Sequence, residues 1–187
     1  MTTDQQLEEV FSNPLSKQEV EDLARAYVGQ VETLHRLSFD LDKAKAFRAA
    51  WVLESIAAHY PQWFTPYANT FLATLKTQKN PSCQRHFTKI LMFMTARNAS
   101  VLYRQALADA DRERIVETVF EWLIHPDTPV AVAVNCLDIL VYFIKEFDWI
   151  SEELEHQILM RINQGSPAMD SRGKRILKKL RSRARSK

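Results

Sequence analysis

Four of the seven prolines read as helix starts, each directly after a capping residue: Thr65-Pro66, Asn80-Pro81, Thr128-Pro129 and Ser166-Pro167. In such a pair the side-chain oxygen accepts from the unpaired N–H groups of a helix start. Proline is preorganised for the first helical position, where its missing N–H costs nothing. The other three, after Asn13, Tyr60 and His125, read as stops, because a proline inside a helix removes a hydrogen bond and clashes with the preceding turn. With only 3 glycines in 187 residues, the chain reads as short helices with short connections. A sheet-rich fold and a disordered chain are both disfavoured.

The segment from Ala44 to Pro61 organises the rest. Phe47, Ala50, Trp51, Ile56, Ala57 and Tyr60 recur at helical spacing, while Lys43, Lys45, Arg48, Glu54 and Ser55 fall largely off that stripe. Pro61 stops this helix, and Thr65-Pro66 is expected to start its antiparallel partner, with Tyr67, Phe71, Leu72 and Leu75 inward. Upstream, a short helix over 4–11 ends at Asn13-Pro14. Ser16 and Glu19 then form a capping box for a helix carrying Val20, Leu23, Ala24, Tyr27 and Val28. Gly29 could end or bend that helix, and the boundary stays open.

Downstream, Asn80-Pro81 opens a helix with Cys83, Phe87, Ile90, Leu91 and Met94 inward. A short helix is expected from Val101 to Leu107. Asp109 or Asp111 caps the next, which buries Ile115, Val116, Val119, Phe120 and Leu123 and ends at His125-Pro126. Thr128-Pro129 starts the most apolar helix, whose polar stripe is Asn135, Asp138, Tyr142 and Lys145. So narrow a stripe implies neighbours on both flanks. A helix near 151–163 carries Leu154, Ile158, Leu159 and Ile162. The last, opened by Ser166-Pro167, carries Met169, Ile176, Leu177 and Leu180.

Pro81, Pro129 and Pro167 open helices about forty residues apart, the period of HEAT and armadillo units. One such unit cannot bury its apolar face alone; stacking does so. The expected fold is all-α, an α-solenoid of antiparallel helix pairs, about nine helices in a single domain over 1–187, with a basic C-terminal helix and tail at 167–187. Arg48 to Trp51, the Ser16-Lys17 cap and the run Arg175 to Leu180 resemble a family of small bacterial HEAT-like proteins. That resemblance covers most of the chain and implies the fold. It brings no established activity and no functional residues.

Some members of such families bear an adenylosuccinate lyase label, and Gly165 to Lys174 is loosely similar to the flexible loop of the fumarase and aspartase superfamily. The match departs at the proline after Met, at the lysine and at the asparagine. A helix start is the simpler reading.

Net charge is +2, but acidic residues end at Asp170 and nine lysines and arginines follow. The body is acidic and the tail basic. Cys83 and Cys136 fall in apolar helical patterns, which suits buried free thiols in a reducing compartment. The polar, acidic start shows no secretory signal. The longest apolar run, Val130 to Ile144, is too short to span a bilayer. A cytoplasmic protein without membrane attachment is expected.

The histidines at 35, 59, 86, 125 and 156 read as surface or helix-end residues without metal-ligand spacing. No phosphate-binding glycine loop or nucleophile elbow is present. No cofactor and no catalytic residue is expected. Trp51, Trp63, Trp122 and Trp149 read as packing residues. Trp122 with Glu121, or Trp149 with Asp148, is the pairing that a HEAT-like DNA glycosylase would need, but an acidic body repels a phosphate backbone.

The first functional reading is a non-enzymatic scaffold with a protein partner, using the groove lined by the second helix of each pair. Its surface candidates are Arg48, Arg85, Asp138, Tyr142 and Lys145. The second reading is contact with nucleic acid or an acidic partner through Arg172, Lys174, Arg175, Lys178, Lys179 and Arg181. A glycosylase-type enzyme is the third. Partner identity and oligomeric state are not written in the sequence.

Overall fold

The structure is a computed structural model that describes residues 3–162 and 166–184. Gly165 of the lyase-like fragment, and Arg185 and Lys187 of the basic tail, lie outside the described residues, as does the side chain of Arg183. Two compact units are present, 1–112 and 113–187. Within each, the expected all-α architecture of packed helix pairs holds, and no strand occurs among the described residues.

The first unit contains α1 (Thr3–Val10), α2 (Lys17–Ala26), α3 (Val31–Leu37), α4 (Lys43–His59), α5 (Pro61–Phe64), α6 (Ala68–Thr74), α7 (Pro81–Thr95) and α8 (Val101–Ala108). Ser16 caps α2 as the sequence implies: its hydroxyl accepts from the Glu19 N–H at 3.3 Å, and the Glu19 carboxylate accepts from the Ser16 N–H at 2.7 Å. The open boundary near Gly29 is settled. Helix α2 ends at Ala26, and Val31 begins a separate α3.

Helix α4 packs against α2, α3, α5 and α7. It is therefore enclosed on more sides than a single stripe suggests. Ala46, Ala49, Val52, Leu53 and Ser55 are buried together with Ala50, Ile56 and Ala57, whereas Phe47, Trp51 and Tyr60 are only half-buried. Alanines at 46, 49, 50 and 57 let the flanking helices approach closely. The loop before α4 contrasts with it: Leu41 is 99% exposed.

The partner of α4 begins earlier than expected. Pro61 opens α5, and Thr65 continues it in helical conformation, with its hydroxyl donating to the Pro61 carbonyl at 2.7 Å. Thr65 is thus not a cap. It lies in a short 3-10 turn, Thr65–Tyr67, that joins α5 to α6. Asn80 caps α7 as expected, accepting from the Ser82 N–H at 3.0 Å. On α8, the buried Tyr103 donates its hydroxyl to the Ala57 carbonyl at 2.5 Å and ties α8 to α4.

The second unit contains α9 (Arg112–Ile124, all but its first residue), α10 (Val130–Phe143), α11 (Trp149–Ile162) and α12 (Pro167–Ala184). Helix α12 packs against both α10 and α11. Thr128 does not cap α10. Its hydroxyl donates to the Trp122 carbonyl at 2.6 Å and fastens the α9–α10 turn instead. As the narrow polar stripe implies, α10 is buried nearly all round, Asn135 included. Leu159, expected inward on α11, is 45% exposed.

Gly173 sits where α12 meets α11. A Cβ there would lie 2.8 Å from Ile158 Cγ2 and 3.2 Å from Ile162 Cδ1. The twelve α-helical segments among the described residues are somewhat more than the expected figure of about nine. The turn at Gly29 divides a stretch whose boundary the periodicity left open, and α5 occupies residues expected to be a short turn before Thr65.

Candidate functional site

A cleft of the first unit lies between α3 and α6. Its volume is about 490 Å³, within the range of ligand-binding sites. Thr70 and Thr74 of α6, with Thr77 one turn on, come from spacing i, i+4, i+7, on the side of α6 away from Phe71, Leu72 and Leu75, which are buried. Helix α3 contributes Glu32, Thr33, His35 and Arg36 to the opposite wall.

His35 is half-buried among rings. It stacks on Phe87 at 6.1 Å between centroids and meets Phe39 and Phe71 edge-on. Its Nε2 lies 3.0 Å from the Thr74 hydroxyl. That hydroxyl has one proton, placed to reach the Thr70 carbonyl at 2.9 Å or that of Phe71 at 3.1 Å. With the proton so placed the threonine oxygen accepts from Nε2–H of the ring; with the proton turned to Nε2 the ring accepts instead. Burial holds the His35 pKa below the usual histidine value, which keeps the ring neutral. At one end, Asp4 of α1 pairs with Arg36 and accepts from the Thr33 hydroxyl at 3.2 Å. The cleft thus offers hydroxyls, the Glu32 carboxylate and a guanidinium tethered by Asp4 above an aromatic floor. No charge is concentrated in it.

The candidates read from the sequence fall elsewhere, and some fall together. Arg48 is half-buried and donates to the Phe11 carbonyl at 2.8 Å, holding the end of α1 against α4. Arg85 and Lys145 are exposed. Tyr142 is 41% exposed and meets the ring of Phe143 edge-on.

Asp138 is engaged by the basic helix: Arg172 pairs with one carboxylate oxygen and Arg175 with the other at 3.2 Å. Lys174 pairs with Asp170 at 2.6 Å, and Arg181 with Glu155 at 2.9 Å. Of the six cations singled out on α12, four thus have carboxylate partners within their own unit; Lys178 and Lys179 are exposed. Trp122 is buried, whereas its neighbour Glu121 is exposed. Trp149 is half-exposed and lies 5.0 Å from the ring of Phe120.

His86 corrects the surface reading of the histidines. It is 5% exposed, lies beside Phe47 and Trp51, and holds Glu54 of α4 through Nδ1 at 2.5 Å. Among the described residues its Nε2 has no hydrogen-bond partner. Nothing in the spacing of two residues 32 apart signals this pair. The threonine stripe of α6, by contrast, was available from its i, i+4, i+7 period. No group of three or more histidine, cysteine or carboxylate side chains among the described residues is placed to hold a metal ion.

Comparison with protein families decides the affiliation. The model of a HEAT repeat domain matches residues 7–180. The chain belongs to the HEAT repeat family. No match was found among curated proteins or solved structures. HEAT repeats present surfaces built from stacked helix pairs, and such surfaces generally serve protein interaction. Among the described residues, no helix is long and apolar enough to cross a membrane.

Proposed function

We propose that this HEAT repeat protein is a non-enzymatic interaction scaffold that takes an extended segment of a partner protein into the α3–α6 cleft. The observation that carries the reading is the cleft itself: threonines at 33, 70, 74 and 77 face one another across it. The hydroxyls of Thr33, Thr74 and Thr77 donate within the protein, to Asp4, to Thr70 or Phe71, and to Thr74, so what they offer an extended backbone is acceptor oxygens for its N–H groups. The neutral His35 and the aromatic floor supply apolar contact beneath. The family match runs through both units, which supports treating 1–187 as one domain.

The nucleic-acid reading draws less support. Phosphate binding depends on cations free to release counterions, and Arg172, Lys174, Arg175 and Arg181 are engaged by carboxylates. The glycosylase reading draws less still, since Trp122 is buried away from an exposed Glu121.

Selection of random peptides displayed on phage tests the proposal. Peptides enriched on the wild type are expected to lose at least about tenfold in affinity against Thr70→Arg, which fills the cleft from an exposed position. They are also expected to shift the backbone resonances of Thr33, Thr70 and Thr77. Enriched peptides indifferent to Thr70→Arg, or no enrichment at all, would overturn it.

A further inference from the structure

A second cavity of the first unit lies at the corner between α1 and α2, with a volume of about 300 Å³. It shares no residue with the α3–α6 cleft. Its apolar lining is Val10 at the end of α1, Leu15 in the connection and Leu23 on α2, all partly exposed. Helix α2 contributes Glu19, Asp22, Leu23 and Ala26, positions i, i+3, i+4 and i+7 on one stripe. Its opposite stripe, Val20 and Ala24, is buried, and α2 packs on α4. The outward stripe is therefore an apolar slot with carboxylates beside it.

Charge indicates what fits. Residues 4–26 hold six carboxylates, at positions 4, 8, 9, 19, 21 and 22, against two cations, Lys17 and Arg25. The hydrogen bonds from Ser16 hold the Glu19 carboxyl below its ordinary pKa, so it stays charged. Asp22 is 56% exposed, with Arg25 no nearer than 4.0 Å. A phosphate backbone is repelled by such a rim. The slot is at the small end for a cofactor but suits a side-chain anchor.

We propose that this corner docks a short amphipathic helix of a partner protein, one that places a large aliphatic side chain in the slot and lysine or arginine within one turn of it. The anchor covers Val10, Leu15 and Leu23, and the flanking cations meet Glu19 and Asp22. This is the helix-in-groove mode, with apolar burial giving affinity and charge setting orientation.

The probe is a helix-stabilised peptide of about twelve residues with leucines on one face and lysines flanking them. Two controls replace every lysine by glutamate or every leucine by serine. Binding is followed by the methyl resonances of Val10, Leu15 and Leu23. The parent peptide is expected to shift these methyls saturably, and each control to bind at least about tenfold more weakly. Ala26→Arg, which obstructs the slot from an exposed position, is expected to weaken the parent peptide at least tenfold. Asp22→Lys is expected to weaken the lysine peptide and strengthen the glutamate one. Equal binding by the serine control, shifts scattered over other acidic surfaces, or indifference to both substitutions would overturn the proposal.

Discussion

Asp138 of α10 receives two guanidinium groups of α12, Arg172 on one carboxylate oxygen and Arg175 on the other. A single acidic residue inside an apolar helix thus ties α10 to the most basic helix. Asp138 is mostly buried, with 19% of its side chain exposed, whereas Arg175 is 66% exposed. The contribution therefore lies between that of a surface pair and a buried one. Asp138→Asn is expected to lower stability by about 1–3 kcal/mol in urea unfolding. The loss should shrink in a background already lacking Arg172. An additive double mutant would show that the contact carries no energy.

Burial also decides thiol chemistry. Cys83 and Cys136 are free and buried, and burial pushes the Cys83 thiol up to about 12 and that of Cys136 higher still. The thiolate is the reactive form. At pH 8 neither cysteine of the native protein should react with a disulfide reagent on the timescale on which both react in denaturant. A fast native phase of one equivalent would contradict this.

His35 should make stability depend on pH in a defined direction. Its pKa in the folded state lies below the unfolded value near 6.5, because burial disfavours the charged ring. The unfolded chain therefore binds the proton first as pH falls. The contribution is fully present above about 6.5 and is lost as pH drops through the folded value. His35→Phe keeps a ring among Phe39, Phe71 and Phe87 and removes the proton site. Its stability should fall less steeply than that of the wild type between pH 7 and pH 5. Equal slopes would assign the dependence to other groups.

Gly173 sets two effects against each other. Alanine in a helix interior gains about 1 kcal/mol over glycine. Here its Cβ would lie 2.8 Å from Ile158 Cγ2, and Ile158 is fully buried. Overpacking of this kind costs about 1–3 kcal/mol. Gly173→Ala is expected to lower the thermal midpoint, and Gly173→Leu to lower it further. An increase for alanine would mean that α11 and α12 separate at little cost.

Much of this fold was legible because its signals are local. The capping box at Ser16, the Asn80-Pro81 start and the inward residues of α7 depend on neighbours within a turn or two. Thr65 and Thr128 misled for a related reason. A threonine hydroxyl before proline can equally bond backward to a carbonyl, and only the path of the preceding chain decides. The side chains that meet across helices were not legible as pairs. Asp138 and Arg172 were both singled out, but for different surfaces; the packing of α10 on α12 joins them. Glu54 and His86 meet only because α4 lies on α7. None of the residues of the α3–α6 cleft was among the candidates, since threonines on a helix pass for solvated surface.

The enclosure of α4 reaches into how such a chain can change over generations. Adding or dropping one residue within 43–59 would rotate every later side chain by about a third of a turn, away from neighbours that hold it on several sides. Length variation is thus barred from this rod and diverted to the bend before it, where Leu41 stands clear of the fold. Position 41 in that bend is where a label meets no packed neighbour, while Asp40 and Asp42 beside it are tied into the cap of α4.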